Sequence, residues 1–134
     1  MRTLDETTLV AGQLYPGQVS EAAALGVTNI VNNRPDCEEP GQPASAEIEA
    51  AAHAAGLSYH HVPIGRMPAD DDQVAAMARA LGGGGKSLAF CKSGTRSACL
   101  WAQVRRREGQ DLERLLARAA EAGYDFGPLR LWLG

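Results

Sequence analysis

Cys91 and Arg96, with Lys92, Ser93, Gly94 and Thr95 between them, are the residues of this chain best equipped for chemistry. The apolar run Ser87-Leu88-Ala89-Phe90 reads as a buried strand that stops at the cysteine, and a helical pattern begins a few residues later. Successive backbone N–H groups in such a strand-to-helix turn can point inward as an anion-binding nest. The helix that follows adds the positive end of its dipole. A cysteine at the rim of that nest is favoured as the thiolate. Arg96 offers a planar two-donor fork for an oxyanion. Ser93, Thr95 and Ser97 add hydroxyls, Lys92 adds a charge, and Gly94 keeps the cradle uncrowded. A thiolate facing a bound oxyanion is the equipment of covalent catalysis at phosphorus or sulfur. An inert buried cysteine would leave the glycine and the arginine unexplained.

Loop length separates those two chemistries. Cysteine-dependent phosphatases place five residues between Cys and Arg, usually with His directly before the Cys. Here four intervene, and Phe90 stands where the His would be. The run resembles the active-site loop of single-domain rhodaneses, which transfer sulfane sulfur. A shorter loop makes a narrower cradle, better suited to a persulfide than to a phosphoryl group. Sulfur transfer is therefore the expected reaction: Cys91 takes sulfur from thiosulfate or glutathione persulfide and passes it to a thiol or sulfite. The alternative is a cysteine phosphatase, with Asp70, Asp71 or Asp72 as a displaced acid. A third possibility is a non-catalytic anion-binding or docking module.

The elements that must hold this loop are legible by period. Ile48, Ala51, Ala52 and Ala55 recur at helical spacing, with Ser45 available as a cap. Val74, Met77, Ala78 and Leu81 do the same after the aspartate run. Leu112, Leu115, Leu116, Ala119 and Ala120 follow Asp111 as N-cap and precede Gly123 as C-cap. The helix after the loop carries Leu100, Trp101 and Val104 inward and Arg105, Arg106 and Arg107 toward water. A shorter helix is predicted over 18–25, ended by Gly26. Strands are predicted at 8–11, 27–31, 58–64 and 87–90. Alternation of strands with helices predicts one three-layer α/β domain over 1–134, its mostly parallel sheet of four to five strands flanked by helices. Ligands of such sheets sit beyond the carboxyl ends of the strands. Arg34, Asp36 and Arg66 follow strands and are expected at the substrate entrance.

The 134 residues include 45% apolar and 22% charged side chains, an ordinary globular composition. A net charge of -3 gives no reason to expect nucleic acid or acidic membranes as partners. No apolar run is long enough for a signal core or a bilayer span. Cys37, Cys91 and Cys99 have no disulfide-scaffold spacing, so the expected compartment is the cytoplasm. Cys99 is expected to pack in the core. Gly82 to Ser87 imitates a nucleotide-binding loop but runs from helix into strand, the reverse of what that motif requires. His60 and His61 point to opposite faces of a strand, so no metal is expected, nor any cofactor. The aspartates at 70–72 read best as a helix cap.

The Cys91 loop has company. Thr8 to Gln13, the run Val27-Thr28-Asn29-Ile30-Val31-Asn32-Asn33-Arg34-Pro35-Asp36, Gly41-Gln42-Pro43, His61-Val62-Pro63-Ile64 and Ala122-Gly123-Tyr124-Asp125 occur together and in order. With them the chain resembles the phosphatase-like domain of the beta-lactamase-hydrolase-like proteins over nearly its whole length. The resemblance implies a fold like that of dual-specificity phosphatases. It also implies a setting in sulfide metabolism, with a persulfide dioxygenase as possible partner. Members of the family are described both as phosphatase-like and as sulfurtransferases.

Overall fold

Alternation along the strands builds the layers. In the computed structural model, which describes residues 1–127 and 130–133, five strands form one sheet. They are β1 (Arg2–Asp5), β2 (Thr8–Ala11), β3 (Val27–Asn32), β4 (Ser58–His61) and β5 (Lys86–Phe90). The helices are α1 (Val19–Ala24), α2 (Ser45–Ala54), α3 (Asp71–Leu81), α4 (Thr95–Arg107), α5 (Leu112–Glu121) and α6 (Arg130–Leu133), with a 3-10 turn at Pro16–Gln18 before α1. Val10, Val31 and Ala89 face one core with the inner sides of α3, α4 and α5. Their neighbours Leu9, Ile30, Leu88 and Phe90 face a second core with Val19, Ala22, Ile48 and Ala52 of α1 and α2. Successive strand side chains point to opposite faces, so one run of sequence supplies both layers.

The sheet order is β1-β2-β5-β3-β4, parallel except for the antiparallel β1–β2 pair. The α/β architecture agrees with the sequence reading. β5 lies in the centre, so the loop that begins at Cys91 leaves the middle of the sheet at its carboxyl edge. β4 is shorter than predicted and ends at His61, because Pro63 has no N–H to continue a ladder. Pairing nevertheless runs on beyond it, through Val62 N–H to Asn32 and Ile64 N–H to Asn33. β1 has no counterpart among the predicted strands, since Leu4 is its one apolar residue.

The arginine run at the end of α4 is not simply a solvated face. Arg105 turns inward to Asp5, whose Oδ2 accepts from Trp101 Nε1 at 2.8 Å and from Arg105 Nε at 3.0 Å. Burial pushes the Asp5 carboxyl up, but bonds from Trp101, the Thr7 backbone and Arg105 outweigh it and hold the group below its usual 3.8. A group held low when folded contributes stability above its unfolded value and loses it as pH falls through the folded one. Asp5→Ala strands a buried indole N–H and a guanidinium, at a cost of about 3 kcal/mol or more. Urea unfolding at neutral pH measures this loss, and the variant's stability should also fall less on acidification below pH 3.8 than the wild type's.

Candidate active site

The loop after β5 is anchored from both sides before any side chain is considered. The Lys92 carbonyl accepts from Gln13 N–H at 3.0 Å, and the Phe90 carbonyl accepts from Asn33 N–H at 2.8 Å. Gly94 takes φ = 92°, a left-handed conformation that favours glycine, and serves as N-cap of α4. That turn brings the Gly94 N–H onto Cys91 Sγ at 3.1 Å. Cys91 is wholly buried beneath the loop. The thirteen-residue α4 therefore begins over the sulfur, as the sequence predicts. Ser93 Oγ and Thr95 Oγ1 bond each other at 3.0 Å on the outer side of the loop. Ser97 is buried, and its hydroxyl has no partner among the described residues.

Arg96 is fixed at its outer end. Nη1 donates to Glu38 Oε2 at 2.7 Å and to the Ile64 carbonyl at 2.9 Å, and Nη2 donates to Glu38 Oε1 at 2.9 Å. The guanidinium is raised above its usual range, first by Glu38 and, after the opposing effect of burial, by Cys91. Its Nε–H is not engaged by Glu38, so the fork is oriented without being fully occupied. The Arg96 bond holds Glu38 down at about 2, with Arg34 helping and burial opposing. Glu39 bonds Lys92 Nζ at 2.7 Å and Arg34 Nη2 at 2.8 Å. Cations at the mouth are thus paired with a carboxylate couple on the loop after β3.

Two of the three residues expected at the entrance take other roles in this geometry. Arg34 does not line the entrance: it is 4% exposed and spends its donors on Glu38, Glu39 and Gln13. A buried guanidinium needs such partners, and here it anchors the acidic loop. Asp36 accepts from the Ser45 N–H, so its carboxylate supports the start of α2 and not a substrate. Arg66 is exposed and borders a cavity of about 560 Å³ with Gly65, Pro68, Asp70 and Gln73. The Ile64 carbonyl that holds Arg96 lies just before this wall in sequence.

Asp70 is the N-cap of α3, accepting from Gln73 N–H at 2.8 Å in a reciprocal capping box. Asp71 pairs with Arg107 on the surface. The capping reading of this run therefore holds. Cys99 is buried, and burial pushes its thiol up to about 11, the state of a packing residue. Cys37 is exposed, with φ = 63°. His60 and His61 bond the Asn29 side chain and the Arg34 carbonyl respectively. Glu38 and Glu39 escaped the sequence reading, because their distant partners Arg96 and Lys92 leave no periodic trace.

This geometry, a buried cysteine at the end of a central parallel strand beneath an arginine-bearing helix start, has clear relatives. The family described as "Beta-lactamase hydrolase-like protein, phosphatase-like domain" matches residues 1–107. The chain belongs to that family. A Beta-lactamase hydrolase-like protein of Xylella fastidiosa (strain Temecula1) is 33% identical over 132 residues, covering 97% of this chain and 31% of its own length. A homologue in Agrobacterium fabrum is 33% identical over 99 residues, covering 73% and 23%. The chain thus spans under a third of the length of these two relatives. Among solved structures, a candidate phosphatase from Neisseria meningitidis superposes with TM-score 0.84 at 33% identity, covering 98% of this chain and 94% of its own. Human DUSP28 superposes with TM-score 0.66 at 22% identity, covering 99% and 92%. The fold of this family member is that of the dual-specificity and cysteine phosphatases. No helix among the described residues is long and apolar enough to cross a membrane.

Proposed function

We propose that this chain is a cysteine-dependent phosphatase, restricted to phosphorylated substrates whose leaving groups depart without a proton. One observation carries the reading: Cys91 Sγ lies under the Gly94 N–H at the end of β5, with Arg96 oriented over the same loop, in a fold shared with cysteine phosphatases. The related proteins described as phosphatases support phosphoryl chemistry over the sulfur transfer expected from loop length. In the first step the Cys91 thiolate forms an S–P bond while the P–O bond breaks, and the electron pair leaves with the ester oxygen. Water then cleaves the S–P bond, giving inorganic phosphate, regenerating the thiolate and releasing a proton to solvent. The loop N–H groups and the free edge of Arg96 stabilise the equatorial oxygens in both steps.

The substrate restriction follows from the carboxylates. Asp70 is committed to capping α3, and Glu38 is held ionised by Arg96. Neither is a proton donor to a departing alkoxide, and a missing general acid costs about 10²–10⁴-fold on poor leaving groups. Aryl phosphates, acyl phosphates and phosphoanhydrides avoid that cost. Across a series of aryl phosphates, kcat/KM is expected to fall steeply as the phenol becomes less acidic, up to phenol itself at about 10. A flat dependence would show an acid at work and contradict the assignment.

Sulfur transfer is the second reading, favoured by the four-residue loop and by the same lack of an acid. There Cys91 Sγ attacks the outer sulfur of thiosulfate, an S–S bond forms, and sulfite leaves with the electron pair of the bond that breaks. A thiol then removes the sulfur. The thiol or sulfite acceptor, a glutathione persulfide donor and a persulfide dioxygenase partner all belong to this reading.

A further inference from the structure

The Ser93–Gly94 peptide is gripped at both ends. Its N–H is the one that Cys91 Sγ accepts, at 3.1 Å. Its carbonyl accepts from the Tyr124 hydroxyl at 3.2 Å, across 31 residues of sequence. The phenol also fills the space over Gly94, where a β-carbon would collide with the hydroxyl. Tyr124 is itself held in place: its ring stacks on Phe126, with centroids 6.3 Å apart and planes at 21°, and Phe126 is buried in the core beside α4 and α5. The Tyr124 N–H closes the end of α5 on the Ala119 carbonyl at 2.8 Å.

We infer that Tyr124 is a positioning residue for the nucleophile, acting through the Ser93–Gly94 peptide to hold its N–H on Cys91. Two physical effects run in the same direction. A hydrogen bond to a peptide oxygen polarises the unit and strengthens its N–H as a donor. The same bond resists rotation of the peptide plane, which glycine at position 94 would otherwise permit. Tyr124 is also raised above its usual range, first by burial and then by the charge of Cys91, so at neutral pH its O–H remains a donor. Other charged groups act on this loop and its tyrosine: Arg96 with Glu38 behind it, Lys92 paired to Glu39, and Arg2, whose Nη1 donates to the Ala122 carbonyl at 2.7 Å beside Tyr124. None of them touches the Ser93 carbonyl among the described bonds.

The inference rests on Cys91 being the nucleophile, and its test separates the two claims. Tyr124→Phe keeps the ring, the stacking and the filled space, and removes only the hydroxyl. Alkylation of Cys91 by iodoacetamide, followed by peptide mass spectrometry, reads its thiolate character without reference to any substrate. The variant should react about fivefold more slowly than wild type near neutral pH, and the difference should close at high pH, where thiolate stabilisation no longer limits the rate. Tyr59→Phe, which loses a phenol hydroxyl bonded to Ser45 and Asn32 away from the loop, should match wild type at both pH values. Equal rates for Tyr124→Phe and wild type at the lower pH would overturn the positioning role. A Cys91→Ser variant that keeps wild-type turnover of an activated aryl phosphate would overturn the nucleophile reading beneath it.

Discussion

Cys91→Ser is expected to lower turnover by about 10⁴-fold or more, because removing the nucleophile abolishes the covalent route and leaves only what the cradle does by binding. A serine hydroxyl has neither the acidity nor the sulfur nucleophilicity of a thiol, and nothing described beside Cys91 is placed as a base to activate it. Cys37→Ser and Cys99→Ser serve as controls. The first removes an exposed thiol and the second a buried packing group, and both should retain most of the activity. Steady-state kinetics on an activated aryl phosphate decides the matter. Turnover by Cys91→Ser within tenfold of wild type would end the covalent account for phosphorus and sulfur alike.

Arg96→Lys keeps the charge and should still lose about 10²–10³-fold in kcat, the cost of an oxyanion donor. The planar guanidinium uses its outer end to grip Glu38 bidentately and the Ile64 carbonyl, and presents its remaining edge to the loop. A lysine ammonium is a point charge without that division of labour. It would satisfy either Glu38 or the substrate, but not both. Near-normal turnover by Arg96→Lys would mean that the backbone N–H groups alone form the cradle.

The parts of this molecule governed by local pattern were legible in its sequence. The strand that stops at Cys91, the glycine at 94 and the caps at Asp70 and Asp111 follow from rules that operate within a few residues. The central position of β5 is not legible there, since it arises from long-range pairing with β2 and β3. What could not be read was the pairing of charges brought together by folding. Arg34 follows a strand and looks like an entrance residue, yet two glutamates four and five positions on turn it into a buried anchor. The same glutamates reach Arg96 and Lys92 from a distant loop, so the charge of the cradle mouth is a tertiary property. Tyr124 stands in a run that carries the family resemblance, but its grip on the Ser93 carbonyl required the fold. Loop length and Phe90 at the position of the usual His pointed to sulfur, whereas the comparisons place the chain in a phosphatase-like family and fold.

Trapping the adduct on Cys91 tests the central claim most directly. The protein is mixed with an activated aryl phosphate, quenched in acid during turnover, digested and examined by mass spectrometry. A parallel sample is incubated with thiosulfate and examined in the same way. The account predicts a phosphoryl group on the Cys91 peptide in the first sample, absent from the Cys91→Ser variant and lost on standing as inorganic phosphate is released. It would be contradicted by a Cys91 peptide that never carries phosphoryl but gains one sulfur from thiosulfate, sulfur that a small thiol then removes with turnover.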